Sequence, residues 1–176
     1  LGGPINSMTL TFGVQAPPES GRYVATTGSD AGDCTSSATP CQTINYAVSQ
    51  ATAGETVHVG AGTYPEMVSV DKGLVFEGSN VGRKAGVAPQ PRVAETVVKG
   101  FRSPGVPHPD STWEFSATVD GFTIDPQGDA TLLAPNTHHL VALFGGPSVI
   151  VRNNIFNGRP FDPACAESCT TMTDAA

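Results

Sequence analysis

The sequence predicts an all-β chain: a right-handed parallel β-helix, a solenoid of short stacked strands, with one short N-terminal capping helix. Three observations predict it. The 176 residues include Gly 20 and Pro 15 while charged residues are only 14%, a turn-rich composition that is too apolar for disorder. Short runs of alternating apolar residues recur between single glycines and charged pairs, as in "GETVHVGAGTYPEMVSVDKGLVFEGSN" at residues 54–80. Turns arrive after only three or four residues, too soon for hairpins of ordinary strand length, so the runs are expected to stack in register as successive coils. A chain of this length buries about two thirds of its unfolded surface, enough for one domain.

The elements follow in order. Residues 5–15 alternate Met8, Leu10, Phe12 and Val14 with Ser7, Thr9, Thr11 and Gly13, the period of a half-buried strand. "APPESG" breaks it, so residues 1–21 are expected to be an N-terminal strand and linker, serving as a cap or as an intersubunit strand. Residues 22–176 are expected to form the β-helix domain. A short strand near Tyr23–Ala25 leads into a polar loop. In "QTINYAVSQATAGE", Ile44, Ala47, Val48 and Ala51 fall at helical spacing, with Thr43 placed to cap and Gly54 placed to stop.

Beyond residue 56 only strands are expected: Thr56–Val59, Met67–Val70, Leu74–Glu77, Thr96–Lys99, Phe115–Val119, Phe122–Ile124, Leu140–Phe144, Val149–Val151 and Ile155–Phe156. Val57 and Val59 share one face while Thr56 and His58 share the other, and Val68 with Val70 and Leu74 with Phe76 repeat the pattern. Asn153, Asn154 and Asn157 are placed to form stacked side-chain ladders at bends.

Charge and cysteine usage narrow the partners. A formal net charge of −7, from Asp+Glu 16 against Lys+Arg 9, repels phosphate backbones and excludes nucleic acid as the expected partner. Arg83, Lys84, Arg92, Lys99 and Arg102 do cluster in one segment, which reads as a solvated loop. Cys34 with Cys41, and Cys165 with Cys169, are local pairs without C-x-x-C spacing; two small disulfide rings in an oxidising compartment are expected. No window reaches the roughly 18 apolar residues of a membrane span. The chain begins at Leu1 without a basic-then-apolar leader, which fits a processed, exported protein at the cell surface or outside the cell.

The segment from Tyr23 to Val70 carries Y-V-A near G-S-D, P-C-x-T-I-x-x-A-V, A-G-E-T-V-x-V and G-T-Y-x-E. In these motifs it resembles the opening of secreted right-handed parallel β-helix proteins of the pectin-lyase-like superfamily. "DGFTI" at 120–124 and "VRNNIFNG" at 151–158 are similar to later coils of that architecture. The resemblance implies a fold more than an activity. Pectin methylesterases open similarly and carry aspartates in Q-D-T and D-F-I-F-G segments; here Q-D-T is missing and "VALFG" has Val141 in place of the second aspartate, which implies that this activity is absent. Pectate-lyase-like enzymes hold calcium with clustered carboxylates, which makes Asp120, Asp125 and Asp129 in "DGFTIDPQGD" the candidate calcium ligands. Asp120 and Asp125 fall on opposite faces of a straight strand, so convergence needs a bend at Gly121 or Pro126; turn aspartates are the alternative.

Other chemistry is sparse. His138 and His139 are adjacent and project oppositely, His108 lies in a loop, and His58 is expected on a solvated outer face. No H-E-x-x-H, G-x-S-x-G or P-loop motif occurs, and no cofactor other than calcium is implied. The expected function is a secreted structural or interaction protein, a surface, filament or adhesion subunit that pairs with copies of itself through strand addition, Met8, Leu10, Phe12 and Val14 being the candidate assembly strand. The alternative is a polysaccharide-binding or polysaccharide-lyase-like module whose partner is an extracellular glycan. Trp113, Tyr23, Tyr46 and Tyr64 are the aromatic residues available for sugar stacking, but Tyr46 and Tyr64 fall in the framework of the coil start, where packing explains them.

Overall fold

The structure, a computed structural model, describes residues 21–84, 86, 91–103, 116–127, 129, 141–142 and 149–157. The expected assembly strand at residues 8–14, the second cysteine pair at 165 and 169, Trp113 and the three later histidines lie outside the described residues. In chain order the elements are β1 (Gly21–Val24), α1 (Ile44–Gln50), β2 (Thr56–Val59), β3 (Gly62–Ser69), β4 (Val75–Glu77) and β5 (Thr96–Arg102). They continue with β6 (Ala117–Asp120), β7 (Thr123–Ile124), β8 (Val141–Ala142), β9 (Val149–Arg152) and β10 (Ile155–Phe156).

The expected β-helix solenoid, short strands stacked in register as successive coils, is corrected by the strand pairing. The strands divide between two five-stranded sheets, ordered β1-β2-β4-β6-β9 and β10-β7-β5-β3, with β8 also pairing β5 off the second path. Every strand pair is parallel. Consecutive runs such as β2 and β3 therefore do not pair with each other but face each other across a common core. The alternation of side chains marks which residues point inward and is silent about which strand lies alongside, and that missing information separates the two arrangements. Strand length departs as well: β3 spans 8 residues, with a register shift between Tyr64 and Met67.

Both sheets contribute the core. Val57, Phe76 and Val119 form one inward row of the first sheet, and Val68, Val98 and Phe101 project from the second; all are fully buried. Phe101 bridges the layers, edge-on to Phe76 at 5.3 Å between ring centroids and to Phe122 at 5.2 Å. Gly121 makes the turn between β6 and β7 with a φ of 81°, and a Cβ there would lie 2.2 Å from the amide nitrogen of Val81. Glycine is needed at that position for both conformation and space.

One end of the two sheets is closed. At the β1 edge, Tyr23 N–H donates to the Cys34 carbonyl at 2.8 Å, Cys41 N–H to the Tyr23 carbonyl at 2.8 Å and Ala25 N–H to the Cys41 carbonyl at 2.9 Å. The Cys34–Cys41 disulfide holds that covering loop, as its spacing predicted. At the β3 edge, Asn45 of α1 donates through Nδ2 to the Met67 carbonyl and accepts from Ser69 N–H at 2.8 Å, taking the place of a neighbouring strand. The helix is itself held at both ends. Thr43 caps it by accepting from Tyr46 N–H, and the Glu66 carboxylate accepts from Ile44 N–H at 2.9 Å and Asn45 N–H at 3.0 Å. Lys72 Nζ donates to the last carbonyls, those of Val48 and Ala51.

These first-turn amides have no partner within a helix. Glu66→Ala is accordingly expected to lower stability by about 1–2 kcal/mol in urea unfolding, with Glu66→Gln recovering part of the loss. An unchanged midpoint for Glu66→Ala would assign the cap to Thr43 alone.

The opposite end differs. Among the described residues no strand pairs with the outer edge of β9 or β10. Val149 and Val151 align with the inward residues Ala117 and Val119 yet are each 38% exposed, and Phe156 on β10 is 46% exposed. The stacked Asn ladder is also corrected. Asn154 Nδ2 donates to the Val119 carbonyl and its Oδ1 accepts from Phe122 N–H, while Asn153 bonds Asp120 and Asn157 bonds Asp125. Each asparagine is held by the turn of an earlier strand rather than by another asparagine.

Candidate functional site

The functional side chains of the first sheet collect in a single row. Register places Tyr23 beside His58, His58 beside Glu77, Glu77 beside Asp120 and Asp120 beside Arg152. These positions alternate with the inward valines and phenylalanine, so the row lies on the sheet's other face and crosses all five strands. Neighbouring strands are about 4.8 Å apart, which brings matched side chains within contact.

The upper half of the row is aromatic and acidic. The Tyr23 and His58 rings stack at 5.0 Å with planes 21° apart, and His58 Nδ1 lies 3.1 Å from Glu77 Oε2. The expected solvated His58 is thus on the outer face, but its side chain is only 22% exposed. Gly21 makes room for it: a Cβ at Gly21 would sit 2.9 Å from His58 Cδ2 and Nε2. The lower half is a satisfied buried carboxylate. Asp120, 1% exposed, accepts from Arg152 Nε at 2.7 Å, Asn153 Nδ2 at 2.8 Å and Gly82 N–H at 3.1 Å.

Beside the upper half, at the carboxyl ends of β1, β2 and β4, lies an open cleft of about 350 Å³. Tyr23, His58 and Glu77 form one side, Pro40 and Val81 rise from flanking loops, and Gly60 and Gly78 stand where the strands end.

The three expected calcium ligands have separate partners. Asp125 accepts from Gln127 N–H through Oδ1 and from Asn157 Nδ2 through Oδ2, and Asp129 pairs with Lys99 Nζ at 2.9 Å. With Asp120 bound to Arg152, the three carboxylates are engaged in different places. Among the described residues no three His, Cys, Asp or Glu side chains are grouped to hold a metal ion.

Tyr64, expected in the packed framework, is a core residue 2% exposed; it donates to the Gly60 carbonyl, and burial pushes its hydroxyl up to about 12. Tyr46 is partly buried and donates to the Gly32 carbonyl. Tyr23 alone of the three tyrosines lines the cleft.

Sequence reasoning missed the His58–Glu77 pair, because 19 residues separate them and only the pairing of β2 with β4 makes them neighbours. A visible signal existed in retrospect, since both residues occupy outward positions of alternating runs. No helix among the described residues is long and apolar enough to cross a membrane, and the disulfide fits an oxidising compartment. The chain matches no protein-family model, and no curated protein and no solved structure is found similar to it.

Proposed function

We propose that the protein is a secreted interaction module that associates with copies of itself through strand pairing at the β9–β10 end. The carrying observation is the difference between the two ends. The β1 and β3 edges are occupied by the disulfide loop and by α1, whereas at β9 and β10 no further strand pairs among the described residues and Val149, Val151 and Phe156 present exposed apolar surface. Open strand edges with exposed apolar side chains recruit further strands. Head-to-tail chaining onto β1 would have to displace the Cys34–Cys41 loop. Two copies meeting through β9 and β10 bury both open ends and close on themselves, as isologous interfaces do. A surface or adhesion role is compatible with this reading.

The test is the molecular mass in solution as a function of concentration. The unaltered chain is expected to reach a dimer, and the Val149→Lys, Val151→Lys double variant is expected to stay a folded monomer, with an unchanged far-ultraviolet circular dichroism spectrum. Deleting residues 1–16 is expected to leave the dimer intact. If that deletion dissolves it instead, the pairing strand is the Met8–Val14 segment; if the unaltered chain is monomeric throughout, strand-paired assembly is wrong.

A further inference from the structure

The cleft on the outer face of the first sheet lies apart from the β9–β10 end and is not used by strand pairing. We propose that it binds a primary ammonium group carried on a short apolar stem, with Glu77 as the charge partner. The supporting observations concern shape, charge and order.

A volume of about 350 Å³ suits one ring or a short alkyl chain and falls at the small end of ligand pockets. The lining is largely apolar, from Pro40, Val59, Val81 and the Tyr23 ring, and among the described residues Glu77 is its one carboxylate. Glu77 is 32% exposed, and His58 is its partner among the described residues, through Oε2. That contact orients the carboxylate at the cleft wall, where its side chain stays partly open to solvent.

Apolar walls lower the local dielectric and strengthen the attraction of a cation to Glu77 over its value in water. An aromatic wall adds a cation–π contribution. The chain's net charge of −7 favours approach of cations and opposes anions. The site is also preorganised: the Tyr23–His58 stack and Gly21 beneath it set the imidazole, which in turn sets Glu77. A fixed carboxylate loses little side-chain freedom when a ligand arrives.

The same chemistry is offered by a free amine and by a lysine side chain, and the experiment separates them. The isotopically labelled full chain is titrated with phenethylammonium, with Nα-acetyl-lysine amide and with neutral 2-phenylethanol, following the backbone amide signals of Gly60 and Gly78. Phenethylammonium is expected to shift both signals, with the alcohol about tenfold weaker or more. Shifts with the lysine derivative as well assign a lysine side chain as an acceptable source; shifts with phenethylammonium alone assign a free amine.

Glu77→Gln is expected to weaken binding about tenfold or more while the melting temperature holds. Val81→Lys, which tethers an ammonium at the 41% exposed rim position, is expected to block it with Glu77 still in place. Equal shifts from the alcohol, binding unaffected by Glu77→Gln, or no shift with any amine would each overturn the proposal. None of these outcomes depends on the chain's mass in solution.

Discussion

Phe101→Ala is expected to cost about 3–5 kcal/mol, a large part of the stability of a domain this size. The ring is fully buried on β5 and touches Phe76 from the first sheet and Phe122 from the turn between the sheets, both edge-on. Truncation removes the transfer free energy of the ring, forfeits two aromatic contacts and opens a void between layers that parallel sheets, held by their own ladders, close only in part. Phe101→Leu keeps most of the volume and is expected to lose about 1–1.5 kcal/mol. Urea unfolding measures both, and the midpoint should fall with little change in slope. A loss below about 1 kcal/mol for Phe101→Ala would mean that the two sheets do not share this core.

The second large effect is expected from Arg92→Met. Arg92 clamps Glu95 with two 2.8 Å bonds from Nε and Nη2. The remaining donors reach the carbonyls of Arg83 at 2.9 Å, Asn153 at 2.7 Å and Phe122 at 3.3 Å. One guanidinium therefore ties the segment before β5 to the turns after β6 and β9. Its side chain is only 10% exposed, so methionine can fill the space but satisfies none of those acceptors. A loss of about 2–4 kcal/mol is expected.

The pH dependence supplies a second readout. The Arg92 guanidinium, with help from the Thr123 hydroxyl, holds the Glu95 carboxyl below its ordinary value of 4.5 against the opposing effect of burial. A carboxyl lowered in the folded state contributes stability above its unfolded pKa, and that contribution is lost as pH falls through the folded value. The unaltered protein should therefore weaken as pH falls from about 4.5, and Arg92→Met should flatten that part of the profile. High salt should reduce the difference only partly, because the pair is largely shielded from solvent. An unchanged acid limb in Arg92→Met would remove Glu95 from the account.

Several elements could be read directly from local sequence. Thr43 caps α1, with Ile44, Ala47 and Val48 buried as their spacing implied. β2 spans Thr56–Val59 and β10 spans Ile155–Phe156 as expected, and Cys34 joins Cys41. Each of these rests on interactions within a few residues: a cap, a helical face, an alternating run, a short ring. The inward faces of Val57, Val59 and Val68 were equally legible, because a strand's two-residue period is local.

What the tertiary structure decided were the neighbours. Two separate parallel sheets, rather than one coil, follow from which runs lie side by side, and an alternating pattern carries the face of a residue without the identity of the adjoining strand. The same holds for the sites. His58 meets Glu77, Arg152 meets Asp120 and Arg92 meets the Asn153 carbonyl only once distant strands and turns have been laid together. Asp120, one of the candidate cation ligands in its local sequence, has Arg152, Asn153 and Gly82 around it, and only the pairing of β6 with β4 and β9, with the turns beyond those strands, brings them there. Local sequence was enough for β2, β10, the inward faces of the early strands and one disulfide. Pairing across tens of residues decided the two sheets, the covering of the β1 and β3 edges and the row from Tyr23 to Arg152, because long-range contacts depend on packing that no short window contains.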